Sequence, residues 1–118
     1  SLTLCVRNAT DEDIHQMEET VALISFYTGR KDLRHLTECN TRFHVQIAQA
    51  SKNKWLADIV ERLLSYTLVY RQYAVSRPGR MEVACQEHIE ILDAICQRDV
   101  KKADQLIHAH VRRAFDIT

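Results

Sequence analysis

Residues Leu33–Ala50, LRHLTECNTRFHVQIAQA, decide how the chain folds, because their apolar positions advance by three and four through Leu33, Leu36, position 40, Phe43, Ile47 and Ala50. That spacing keeps one face of a helix against neighbouring helices. The seam carries a polar interruption at Asn40, and one turn later His44 stands beside Phe43, so an amide and an imidazole are i,i+4 neighbours. A buried amide left without a partner costs roughly 1–3 kcal/mol, so something must satisfy these groups.

Outward from this stretch the helical reading extends over the whole chain. Two glycines and one proline in 118 residues provide little punctuation for hairpins, and no run alternates strictly, which gives an all-α class. Residues 1–8 read as the last turns of a truncated helix. In ATDEDI, Thr10 and Asp13 form a capping box for a helix that runs to about Tyr27 or Thr28, with Ile14, Met17, Val21 and Ile24 inward and Gly29 as its terminator. Ser51-Lys52-Asn53 breaks the third helix. A long helix over 54–76 follows, then Pro78-Gly79, a helix over 80–97 with the seam Met81, Ala84, His88, Ile91 and Ile95, and a last helix from about Val100, capped by Asp99. Its seam is Val100, Ala103, Ile107, His110 and Ala114. The expectation is one domain, an antiparallel bundle of about six helices with the first cut short.

The helix over 54–76 is apolar around a wide arc, including Trp55, Ile59, Leu63, Tyr66, Val69 and Tyr73. Either it is central to the bundle, or its second face meets another copy of the chain.

Composition narrows the function. Lys+Arg and Asp+Glu number 16 each, a formal charge of zero, which argues against a nucleic-acid footprint in these residues. The four cysteines, Cys5, Cys39, Cys85 and Cys96, form no CxxC pair and read as reduced thiols of a cytoplasmic protein. No apolar run reaches the ~20 residues that span a bilayer.

The six histidines sort by face. His15, His35 and His108 lie among acidic and basic side chains at helical spacing and read as external, whereas His44, His88 and His110 point inward from three helices. A single inward histidine is ordinarily a hydrogen-bonded core residue. Three in a core this small, with Asn40, are costly to bury unless one object satisfies them together, and a divalent metal is the simplest such object. A core of hydrogen-bonded histidines stays open as the metal-free alternative.

The matching pattern is ATDEDI (residues 9–14), Asn40 with Phe43 and His44 running into IAQASKN (47–53), EHIEILDAI (87–95) followed by QRD, and His110. It resembles the FCD effector-binding domain of FadR-subfamily GntR transcription regulators, over nearly the whole chain. The resemblance implies a helical bundle around a divalent metal, with its ligands falling on Asn40, His44, His88 and His110. It also implies a small organic acid, a carboxylate or sugar acid, bound against that metal, a homodimer, and DNA contact through an N-terminal winged helix-turn-helix that these residues do not include. This chain has Asn40 where Asp is more frequent in the family. An uncharged amide beside three neutral imidazoles leaves the charge of a zinc, nickel or manganese ion uncompensated, which favours an anionic ligand. Arg71, set between Leu68 and Ala74, is the candidate to grip a carboxylate with its guanidinium fork, against the plainer reading of an exposed arginine.

A small metal-dependent hydrolase is the competing function. It needs a positioned acid or base, and no inward carboxylate accompanies the seam histidines: Glu87 precedes His88 by one residue and points about 100° away around the helix.

Overall fold

The computed structural model describes residues 2–115, with the side chains of 114 and 115 outside that description, so the proposed seam position at Ala114 falls beyond it. Among the described residues the chain forms seven helices and no strand: α1 (Leu2–Asn8), α2 (Asp11–Arg30), α3 (Leu33–Ala50), α4 (Lys54–Tyr66), α5 (Leu68–Ser76), α6 (Arg80–Cys96) and α7 (Val100–Phe115). The connections are a few residues each, so successive helices turn back on one another as a bundle.

Most helix ends follow from local chemistry. Thr10 accepts from the Asp13 amide at 3.1 Å, and the Asp13 carboxylate accepts from the Thr10 amide at 2.9 Å, which completes the capping box of α2. Asp32 caps α3 through the His35 amide, Asn53 caps α4 through Leu56, and Asp99 caps α7 through Lys102. Gly29 does not stop α2. The helix continues to Arg30, and Lys31 adopts the left-handed conformation (φ 55°), its amide reaching back to Thr28 and Tyr27.

The anticipated long helix over 54–76 is two helices. Thr67, at φ −99° and ψ 6°, sits between them, its hydroxyl donating to the Leu63 carbonyl at 2.8 Å. The side chain of Arg71 reaches back across this break to the Leu64 carbonyl at 2.7 Å and the Thr67 hydroxyl at 3.2 Å. The carbonyls left open at the end of α4 thereby gain donors. Division at Thr67 accounts for seven helices in place of about six.

The core forms where α2, α3, α6 and α7 meet, with α1 packed on α3 and α7. Met17, Ile24, Leu36, Phe43, Ile91 and Ile95 are among its fully buried side chains. Phe43 lies edge-on to His88, with ring centroids 5.3 Å apart, so it both fills the core and props one wall of the histidine cluster. Phe43→Ala is expected to cost about 3–5 kcal/mol, the usual range for emptying a buried aromatic site, measured by urea denaturation.

No residue of α4 is fully buried. Leu56, Val60 and Leu64 are half-buried toward the bundle, whereas Trp55, Ile59, Leu63 and Tyr66 form an outward stripe, with Trp55 81% and Tyr66 86% exposed. Val69 and Tyr73 continue the exposed apolar surface on α5. A helix buried on two sides within one chain is therefore excluded.

Candidate metal and ligand cavity

Three helices carry the inward histidines to one place. His44 comes from α3, His88 from α6 and His110 from α7, and one ligand nitrogen from each can be chosen so that all lie within 4.8 Å of one another. His88 is 1% exposed and His110 is buried, while His44 keeps part of its surface toward a cavity. The Nε2 atoms of His44 and His88 are 3.4 Å apart. Two nitrogens bound at about 2.1 Å in a tetrahedral zinc shell stand about 3.4 Å from each other, so this pair already has the separation a metal requires. The same distance permits a weak N–H···N hydrogen bond, so it does not by itself distinguish the metal from the metal-free core.

One unsatisfied acceptor favours the metal. Among the described residues the buried Asn40 Oδ1 has no hydrogen-bond partner. Asn40 is 7% exposed and lines the same cavity. Orphaned buried acceptors are rare in folded proteins, and a carboxamide oxygen facing three imidazoles has the donor chemistry of a fourth ligand. His15, His35 and His108 are exposed, as their faces require, each beside a carboxylate of its own helix or cap.

Electrostatics favour the neutral form of His44 and His88. Burial, then the neighbouring His110, then Arg71 push the His44 imidazole down to about 3. Burial and the two other rings hold His88 well below the usual histidine range. Neutral imidazole is the form that ligates metals.

The cavity itself measures about 60 Å³, room for an ion and a few water-sized groups, and it opens to solvent at its mouth. Arg71, Arg80 and Arg113 line it with the histidines. Arg71 is held in place by Thr41 Oγ1 at 3.0 Å, Thr67 Oγ1 at 3.2 Å and the Leu64 carbonyl at 2.7 Å. It is a half-buried, fixed cation at the cavity wall, and the reading of an exposed arginine does not hold.

Glu87 corrects the sequence reading. It is 9% exposed and faces the cavity. Its Oε2 accepts from Arg113 Nε at 2.6 Å and pairs with the same guanidinium through a second nitrogen, while Oε1 lies 3.6 Å from His110 Nδ1. The latter is a charge contact slightly beyond hydrogen-bond length. Burial alone would raise the carboxyl, but His110 and Arg113 outweigh it, and Glu87 sits below the ordinary glutamate range. The 100° offset from His88 was right, yet α7 occupies that side. The recoverable signal was His110 and Arg113 at i,i+3, which places a base and a cation on one face of α7 in need of an acidic partner.

The FCD domain model matches residues 1–113. The chain belongs to the FCD domain family. A protein of Mycobacterium gastri described as an HTH-type transcriptional regulator, RmpR, is 29% identical over 76 residues, which is 63% of this chain and 28% of that protein. The aligned stretch thus spans little more than a quarter of the relative's length. Within this FCD domain the described residues include no helix long and apolar enough to cross a membrane.

Proposed function

We propose that this FCD domain is the effector-sensing part of a GntR-family transcription regulator of the FadR subfamily, without catalytic activity, working in the cytoplasm. His44, His88, His110 and Asn40 would hold a divalent transition metal, zinc, nickel or manganese, and a small carboxylate or sugar acid would bind against it with Arg71 as its counter-charge. The observation that carries this reading is the convergence of three imidazoles and an amide oxygen, partnerless among the described residues, on a cavity walled by a fixed arginine. When bound, the metal supplies positive charge in a site whose protein ligands carry none. The chain's own residues then orient and select the ligand: an anion is favoured by the uncancelled charge, and the planar fork of Arg71 suits a carboxylate.

Calorimetry on zinc-loaded protein tests this. A dicarboxylate is expected to bind at least tenfold more tightly than its diamide, about 1.4 kcal/mol or more, and equal affinities would contradict the reading. DNA contact would be made by a helix-turn-helix region outside these residues, in keeping with the description of the Mycobacterium gastri relative and with the zero net charge here.

Glu87 bears on the hydrolase alternative, since it brings a carboxylate to the cavity after all. Held below the usual range it is a poor proton donor near neutral pH, and with Oε2 engaged by Arg113 and Oε1 turned to His110 it has no oxygen aimed at a water as a base. Turnover assays on candidate esters and lactones separate the two functions.

The exposed stripe of Trp55, Ile59, Leu63 and Tyr66 fits a homodimer interface, since large contiguous apolar patches are uncommon on monomers. Leu63→Glu is expected to shift the protein from dimer to monomer in sedimentation velocity with its helical circular dichroism unchanged. A dimer of unchanged strength would rule this face out.

A further inference from the structure

The cavity contains one carboxylate, and its two oxygens face different groups. Oε2 of Glu87 is taken by Arg113, whereas Oε1 is turned toward His110 Nδ1 at 3.6 Å. Among the described residues no other group partners that nitrogen. A structural ion pair with Arg113 needs no second oxygen beside an imidazole. We infer that Glu87 is a positioning residue for the metal site: it selects the His110 tautomer protonated at Nδ1, so that Nε2 is the nitrogen offered to the metal, and Arg113 anchors Glu87 for this purpose. The inference rests on the metal reading above.

A neutral imidazole has one N–H and one lone pair, and an ionised carboxylate can only accept. Arg113 takes Oε2 of Glu87, which leaves Oε1 as the acceptor turned to His110. With an acceptor-only group facing Nδ1, the favoured tautomer puts the proton there and the lone pair on Nε2. Carboxylates behind metal-bound histidines fix ring orientation in this way and raise the basicity of the ligating nitrogen. The arrangement also explains why Glu87 can immediately precede a ligand on α6 without ligating. It serves the histidine of α7, while its neighbour His88 points into the cluster.

The test uses the 118-residue chain with zinc as the probe. Nitrogen NMR of histidine-labelled, zinc-loaded protein is expected to show His110 protonated at Nδ1 and coordinated through Nε2. Zinc affinity, measured by competition with a chelator, is expected to fall about 10–100-fold in Glu87→Ala, with His110 losing its single tautomer in the metal-free protein. In Glu87→Gln one carbonyl oxygen must serve both Arg113 and His110, and an intermediate loss of about three- to tenfold is expected. Coordination of His110 through Nδ1 in the unaltered chain would overturn the inference, as would zinc affinity within about twofold of the parent in Glu87→Ala, against the usual outer-shell effect. If Glu87→Ala fails to fold, the parent spectrum and the isosteric Gln variant decide. Absence of zinc binding by the parent chain would instead overturn the metal reading itself, a different outcome in the same titration.

Discussion

His88→Ala is expected to lower metal affinity by roughly 10²–10³-fold, because a site worth about 10–16 kcal/mol over four ligands loses about a quarter of that with one of them. The accompanying effect on the metal-free fold is expected to be small by comparison. Truncating a fully buried side chain beside Phe43 opens a cavity, ordinarily worth a few kcal/mol. The same change removes a buried Nδ1 that has no partner among the described residues, which offsets part of that loss. Two measurements separate these contributions: chelator competition for affinity, and urea denaturation of the metal-free protein for stability. A variant that binds zinc like the parent would remove His88 from the ligand set. A variant destabilised as much as Phe43→Ala when metal-free would show that its role is packing.

Metal removal at neutral pH is expected to lower the thermal midpoint by on the order of 10 °C. A ligand present at a thousand times its dissociation constant contributes about 4 kcal/mol, and each kcal/mol moves the midpoint of a domain this size by a few degrees. The stripped protein is then expected to weaken further as pH falls. His44 and His88 both titrate below the unfolded histidine value of about 6.5, so below that pH the unfolded chain takes protons that the folded chain refuses. Stability is complete above about pH 6.5 and declines below it, by up to about 1.4 kcal/mol per pH unit for each histidine, until the folded cluster itself protonates. Glu87, shifted down, adds a loss in the same direction once pH passes below the normal glutamate range. Thermal melts of chelator-treated protein across pH 5–8 check this. A flat profile would mean that the two imidazoles are not held neutral in the fold.

The sequence revealed the parts of the fold that rest on local chemistry. Thr10 with Asp13, and Asp99 before α7, are short-range caps, and the structure contains both. The inward histidines were separable from His15, His35 and His108 because helical periodicity states which face a residue occupies. What periodicity does not state is which neighbour lies across that face. Glu87 shows this: periodicity gives its direction relative to His88 but not that α7 lies on that side. The break at Thr67 is not legible in the sequence because no glycine or proline marks it and it is held by Arg71, a residue of the following turn that also lies on the cavity wall. Lys31 in place of Gly29 at the end of α2 is a smaller case of the same kind.

Arg71 joins the two regions of functional interest. Its guanidinium stands at the cavity and holds the end of α4, whose outer face carries the exposed apolar stripe. Ligand capture and the proposed interface between copies are thereby mechanically adjacent.

Diffraction from crystals of protein purified without chelator, collected at the absorption edge of whichever metal X-ray fluorescence detects, addresses the cluster most directly. One anomalous peak is expected about 2.0–2.3 Å from a nitrogen of each of His44, His88 and His110 and from the Asn40 oxygen. Clustered imidazoles with hydrogen bonds among themselves and no anomalous density between them would contradict a metal-centred sensor.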